Sequence, residues 1–388
     1  MHSLLLIIFV LSVLCIFHTY IFYPLLMLFF LPRRKENIIE YNRTDDLPGV
    51  AVLVAAYNEE RVIREKILSV FDTNYPANKL KVYIGSDASI DGTDAIIDSL
   101  RGQFKNLELI KFDGRVGKIS IINHLQSLGD EDILIMTDAN VIFRPDTLFQ
   151  LVKKFRDDRV GIIAANIIKE SATNEGIALQ EKKYLSLENK IKAAESSVFN
   201  LIMGAEGGCY AIRNSLFSKV PLKFIVDDFF ITLQVLIRGK FTLFNREAIC
   251  IEDVATDAEG EYRRKVRISS GNFQNLFFFR RLLLRFWTPV AFSFWSHKVL
   301  RWITPFLLLS TFISSFLLAF SERLFFYLMV IQIIGFMIAA LSTVFNYKNQ
   351  LLKFISHFYM MNLALLEGFF RFMKGIQSSI WQPVKRNV

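Results

Sequence analysis

The sequence predicts an α/β domain with a mostly parallel sheet, flanked by transmembrane helices. Three observations lead there. Between residues 50 and 165, apolar runs of strand length alternate with stretches of helical periodicity, the pattern of consecutive βαβ units. Polar residues gather where each apolar run stops, as they do at the carboxyl edge of an open sheet that binds a ligand. On either side of this region lie apolar stretches that reach the roughly 20 residues needed to cross a bilayer.

In chain order, residues 4–31 are the first such stretch, interrupted only by Ser12, His18, Thr19, Tyr20, Tyr23 and Pro24. Residues 1–32 read as a transmembrane helix; a secretion signal is the rival reading, but no basic segment precedes the run and no small-residue cleavage site follows it. Arg33, Arg34 and Lys35 come next, which places the following domain in the cytoplasm by the positive-inside rule. Residues 50–54 form a strand that ends in AAYNEE. Asn58 caps the helix after it, with Glu59 and Glu60 in the first turn and Ile63, Ile67, Val70 and Phe71 on the buried face. Residues 81–85 are the second strand, followed by a helix capped by Asp91; residues 107–111 are the third, followed by the loop DGRVGK and a helix from Ile119. The fourth is residues 133–136, and residues 160–165 make another. Residues 175–199 read as a long charged helix on the surface beside the rim.

Residues 133–140, ILIMTDAN, carry the most chemistry. A buried strand runs into Asp138, Ala139 and Asn140, and a carboxylate followed by a second oxygen ligand suits a hard cation, Mg²⁺ or Mn²⁺. A plain polar turn is the competing reading. In MGAEGG, the glycines Gly204, Gly207 and Gly208 beside Glu206 would let backbone approach a ligand, taken here as the acceptor, or would serve only as a turn. Asp227 and Asp228 could cap a helix, or provide a base, since crowded carboxylates raise one another's pKa. Arg263, Arg264, Lys265 and Arg267 suit either a membrane surface or a diphosphate, whose oxygens guanidinium forks match. From 276 to 297 basic and aromatic residues interleave, as in an interfacial helix. Residues 298–346 hold two spans, at 300–320 and 324–345. Residues 350–388 read as an interfacial or re-entrant segment, interrupted by His357, Glu367 and Arg371, with a basic tail at Lys374, Lys385 and Arg386.

Composition agrees with this division. The 388 residues are 52% hydrophobic and include 38 Phe, too apolar for an ordinary soluble enzyme, while 21% charged residues are too many for a purely embedded chain. The net charge of +9 clusters beside the apolar runs, which favours a membrane surface over nucleic acid. Three dispersed cysteines form no disulfide framework, and the five histidines form no zinc-type pair. The first turn lacks GxGxxG and no Walker loop follows, which excludes the usual dinucleotide and P-loop grips. A transporter is disfavoured by the small number of spans and the lack of a central intramembrane charge pair.

Taken together, the motifs from about residue 48 to 271 resemble the membrane-bound family 2 glycosyltransferases, the group of the cellulose, chitin and hyaluronan synthases. Tyr57-Asn58-Glu59 stands where the family's first strand turns toward the nucleotide. Asp87-Ala88-Ser89-Ile90-Asp91-Gly92-Thr93 matches DxSxDGT, whose first Asp meets the uracil base in that family. Gly117-Lys118 corresponds to the lysine facing the diphosphate, Asp138-Ala139-Asn140 to DxD, and Val226-Asp227-Asp228 to the TED-like motif, with Asp228 as general base. Two departures stand out. Asn140 replaces the last carboxylate of DxD, and the QxxRW region, aligned on Arg264 with Arg267 nearby, lacks both Gln and Trp.

The resemblance implies a GT-A catalytic domain at 48–275 and an inverting transfer of a hexosyl or N-acetylhexosaminyl group. The donor would be a nucleotide sugar, UDP-linked, and the acceptor a membrane-associated glycan or lipid-linked sugar in cell-surface polysaccharide synthesis. It places the chain in the cell's inner (plasma) membrane as a multi-pass protein with a cytoplasmic catalytic domain. A processive synthase and a non-catalytic nucleotide-sugar-binding subunit are the alternatives. The missing Trp leans away from long-chain processive synthesis.

Overall fold

The computed structural model describes residues 1–33, 37–170, 176–253, 258–342, 345, 347 and 349–376. Arg34, Lys35, Lys385 and Arg386, read above as part of the basic flanks, lie outside these residues. Two compact units result, one of Pro32–Asp257 and one of Met1–Leu31 with Ala258–Ile376. A leading apolar helix, α1 (His2–Phe30), belongs to the second unit.

The α/β unit is a single eight-stranded sheet: β1 (Val50–Ala56), β2 (Leu80–Ser86), β3 (Leu107–Lys111), β4 (Ile133–Asp138), β5 (Val141–Phe143), β6 (Val160–Glu170), β7 (Cys209–Arg213) and β8 (Phe241–Asp253), in the order β3-β2-β1-β4-β7-β6-β8-β5. The first four strands are parallel, as the apolar sequences of β1, β2 and β4 predict for strands covered on both faces. β7 runs antiparallel to both β4 and β6, so the sheet is mixed. Helices α2 (Ile63–Phe71), α3 (Thr93–Arg101), α4 (Lys118–Gln126), α5 (Thr147–Val152), α6 (Gly176–Phe199) and α7 (Asp227–Ile237) connect the strands. β1 has β2 on one side and β4 on the other, with Ala55 beside Asp138 at the carboxyl end. Strand order therefore reverses at β1, the place where open α/β sheets hold their ligands.

Two local expectations differ from the structure. Asn58 does not cap α2, which begins at Ile63 after Val62. Asn58 instead adopts a left-handed backbone (φ 53°) and its Oδ1 accepts from the Ile90 amide at 2.9 Å. α6 does not lie wholly on the surface either, because Glu188, Lys192 and Glu195 are all buried.

In the other unit, α8 (Ala258–Phe278) is followed by a short 3-10 helix at Arg280–Leu284, then α9 (Pro289–Trp302), α10 (Thr304–Leu318), α11 (Arg323–Leu341) and α12 (Gln350–Met373). Residues 276–297 are not one continuous amphipathic helix, because Thr288 caps a new helix that starts at Pro289. Exposed Phe277, Phe278, Leu284, Phe286 and Trp287 interleave with Arg280, Arg281 and Arg285 along this stretch. Among the described residues, α1 and α11 are long and apolar enough to cross a membrane. The run expected as one span at 300–320 is broken, since α9 and α10 meet at 62° and pass that test only as a pair. α12 packs on α8: Ser269 Oγ donates to the Leu365 carbonyl (3.0 Å), Tyr262 donates to Glu367 (2.9 Å), and Phe273 meets Phe369 edge-on. That packing groups α8 with the membrane-type helices of the second unit. Small polar residues stitch the apolar helices together, with Ser12 donating to Ser310 and Gln332 to Ser315.

Candidate active site

The site is built from the bottom of four loops at the carboxyl edge of the sheet. The turns after β1 and β2 are tied to each other. Glu59 N donates to Thr93 Oγ1 (2.8 Å), Asn58 N to Ser89 Oγ (3.2 Å) and Gly92 N to Glu60 Oε2 (2.8 Å). Asp91 accepts from both the amide and the hydroxyl of Thr93, just ahead of α3. Ala88 shares the left-handed conformation (φ 55°), which for alanine costs roughly 1–2 kcal/mol and is held by this network.

Asp87 is fully enclosed (0% exposed). Its carboxylate accepts from Val116 N (2.6 Å), Gly117 N (3.1 Å) and Arg115 Nε (2.9 Å), so it pins the DGRVGK loop to the end of β2. The Arg115 guanidinium lies over the Tyr57 ring at 3.3 Å. Gly117 has φ 86°, a conformation open to glycine at little cost, and the next residue, Lys118, starts α4. The Lys118 ammonium then reaches Asp138 Oδ1 at 2.6 Å. A chain of contacts thus runs from Asp87 through the loop to Lys118 and Asp138. Asn140 follows in the turn to β5, with its amide nitrogen directed to Glu252 at 3.4 Å.

Asp227 and Asp228 open α7. Burial first, and then the charge of Asp227, push Asp228 up to about 7, against the opposing pull of Lys118 and the amides of Phe229 and Gly207. Burial alone would lower Lys118, but Asp138, Asp227 and Asp228 together hold it above the usual lysine value. Gly207 has a second reason to be glycine, because a Cβ there would meet Asp228 Oδ2 at 2.8 Å. The Gly208 carbonyl accepts from Asp138 N (3.1 Å) and Thr137 Oγ1 (3.0 Å), which ties the glycine loop to the end of β4. Glu206 lies in the same loop and pairs with Lys192 at 3.1 Å.

Asp87, Lys118, Asp138, Asp227, Asp228, Glu206 and the two glycines are therefore brought together within the α/β unit. Arg264 and Arg267 sit on α8, in the other unit, where Arg264 pairs with Glu261 at 3.0 Å. Four further residues were missed in sequence. Arg115 and Lys192 are described above. Lys66 is wholly buried, donating to Thr137 Oγ1 at 2.9 Å and lying over the Phe143 ring. Its place among Ile63, Ile67 and Val70 on the apolar face of α2 was a readable signal. Burial, offset in part by Cys209, Cys250 and Asp138, lowers it to about 8. Tyr210, 1% exposed, feels the charges of Asp227, Asp228 and Asp138, and among the described residues its hydroxyl has no hydrogen-bond partner.

An open α/β sheet whose switch point carries this carboxylate and lysine corner is a ligand site of the kind α/β enzymes build at the carboxyl ends of their strands. Residues 51–220 match Glycosyl transferase family 2, so this stretch carries a glycosyltransferase domain. The chain is similar to a poly-β-1,6-N-acetyl-D-glucosamine synthase of Staphylococcus epidermidis, 23% identical over 71% of this chain and 68% of the relative. It is also similar to a β-monoglucosyldiacylglycerol synthase of Synechocystis sp., 30% identical over 34% of this chain and 27% of the relative. The chain thus spans about two thirds of the first relative and about a quarter of the second. A solved mannosyltransferase from Pyrobaculum calidifontis, in complex with GDP-Man and Mn²⁺, shares the fold with a TM-score of 0.70 at 19% identity, covering 94% of this chain and 99% of that one.

Proposed function

We propose that the chain is an inverting, membrane-anchored glycosyltransferase that moves a sugar from a nucleotide donor, UDP-linked, to a membrane-associated glycan or lipid-linked acceptor. The observation that carries the reading is the corner where Lys118, Asp138, Asp227 and Asp228 meet. It offers a positive group where negative charge would develop and, a short way off, a carboxyl raised to about 7, well placed to accept a proton near neutral pH.

Asp228 takes the proton from the acceptor hydroxyl as that oxygen attacks the anomeric carbon. The new C–O bond forms on the face opposite the donor's C–O bond, whose electron pair departs with the nucleoside diphosphate. A single displacement inverts the anomeric centre. The Lys118 ammonium stabilises charge on the leaving oxygens. Tyr57 with Arg115 forms the platform for the base, held from below by Asp87, while Asn58 and Glu59 shape the turn around it. Glu206, Gly207 and Gly208 line the acceptor side. The domain at 48–275, the cytoplasmic placement and the multi-pass anchoring in the inner membrane belong to the same proposal.

A divalent cation fits the donor set. Asp138 and Asn140 supply only oxygens, and among the described residues no three His, Cys, Asp or Glu side chains group to hold an ion by themselves. Such a partial shell suits Mg²⁺ or Mn²⁺, which commonly complete their coordination with substrate phosphates and water. The buried Tyr210 hydroxyl, which has no hydrogen-bond partner among the described residues and lies within the field of the three aspartates, supports this reading. When bound, the ion would neutralise charge on the diphosphate.

The test is Asp228→Asn in the full-length protein, assayed for transfer with a panel of nucleotide sugars. Transfer should fall by roughly 10²–10⁴-fold while nucleotide binding stays within about twofold. Turnover at the wild-type rate would remove Asp228 from the role of base.

A further inference from the structure

We propose that Lys192 is a positioning residue for the acceptor, holding the Glu206 carboxylate where the hydroxyls of an incoming saccharide meet the protein. This rests on the glycosyltransferase reading above and extends it to a residue on another helix.

α6 carries Glu188, Lys192 and Glu195 at spacings of four and three, which aligns them along one side of the helix. They are 5%, 6% and 0% exposed. Buried charges are costly unless paired, so a helix with three of them must be directed at specific partners. Two of those partners lie in the loop between α6 and β7. Glu195 accepts from the Met203 amide at 3.1 Å, and Lys192 pairs with Glu206 at 3.1 Å. Other elements fasten the same loop. Ile202 N donates to Thr242 Oγ1 of β8 (2.9 Å), and Ala205 N to Thr232 Oγ1 of α7 (3.0 Å). Thr232 in turn donates to the carbonyl of Asp228 at 2.7 Å. The loop that carries Glu206 is thereby registered against the proposed base, and Gly207 lets it approach within van der Waals distance.

The two lysines divide the site. Lys118 pairs with Asp138 on the β4 side, where the donor diphosphate is assigned. Lys192 pairs with Glu206 on the α6 side. Burial pulls Lys192 down, and Glu206, Glu188 and Asp228 more than restore it, so its ammonium stays charged. Exposure then decides what the pair offers to a ligand: the Glu206 side chain is 27% exposed and that of Lys192 only 7%. The open member is a carboxylate with Asp228 nearby. A carboxylate accepts hydrogen bonds from hydroxyl or amide N–H groups and offers a phosphate oxygen no donor. The ligand class is therefore an uncharged saccharide end, and the phosphate of a lipid carrier is disfavoured at this wall. Lys192 acts through Glu206, by neutralising it and fixing its direction.

The experiment uses the full-length protein in lipid nanodiscs, titrated calorimetrically with a β-1,6-linked N-acetylglucosamine tetrasaccharide and, separately, with UDP. Lys192→Met and Glu206→Gln should each weaken the tetrasaccharide by tenfold or more and leave UDP within twofold. The double variant should bind no more weakly than either single one, and Lys192→Arg should stay within threefold of wild type, which also controls for folding. The proposal is overturned if wild type fails to bind the tetrasaccharide, if Lys192→Met binds it as wild type does, or if UDP weakens in step. Because these are binding readouts, they stand apart from the Asp228→Asn turnover test, which alone decides the base.

Discussion

Burial and the carboxylate of Asp227 set the basicity of Asp228 before any substrate arrives. Its value of about 7 against an ordinary 3.8 has two consequences. A base must be deprotonated to act, so transfer should rise with pH through about 7 and level off above it; a pH–rate profile checks this, and a limb near 4 would contradict it. The folded protein also holds this proton more tightly than the unfolded chain does. The stability it contributes is full below about 4 and is lost as pH rises through about 7. Asp228→Asn should flatten that part of the thermal-melt profile. At this scale the sequence was partly readable. Asp87, Lys118, Asp138 and Asp228 stand out because each follows a strand or opens a helix within a motif. Lys192 does not, because a lysine in a charged helix looks solvated until the neighbouring elements are known. Asp87 was legible as a site residue, yet its bonds to the DGRVGK loop depend on how the chain turns after β3.

At the scale of elements, β4 and the loops beside it hold the corner together. Asp138 ends the strand, bonds through its amide to Gly208 and through its carboxylate to Lys118. Lys118 and a cation would share this one carboxylate. Asp138→Ala should therefore cost at least about 10²-fold in transfer and weaken the response to added Mn²⁺. Wild type should lose activity on chelation and regain it with Mn²⁺ or Mg²⁺. Activity that survives chelation intact would defeat the metal assignment. Of the parallel strands, β1, β2 and β4 were legible because strands covered on both faces are largely apolar, and β3, LELIK at the edge of the sheet, from its place in the strand–helix alternation. β7 and β8 were not singled out, since Cys209–Arg213 is short and Phe241–Asp253 mixes charged residues with apolar ones.

At the scale of the whole molecule, the apolar helices predict that the protein stays with the membrane fraction after carbonate extraction, and that a reporter fused within residues 32–257 reads out on the cytoplasmic side. Release by carbonate, or an external reporter, would refute the anchoring or the orientation. The composition, the apolar stretches and the order of motifs determined the class of this protein without any coordinates, because apolar length and strand–helix alternation are local properties of a chain. Tertiary structure decided which charges are paired and which side chains are covered. It enclosed Asp87, faced Lys118 with Asp138, turned Lys192 toward Glu206 and grouped α8 with the helices that follow it. Those outcomes depend on residues brought together from distant positions, and a pKa or an ion pair has no value until its neighbours are in place.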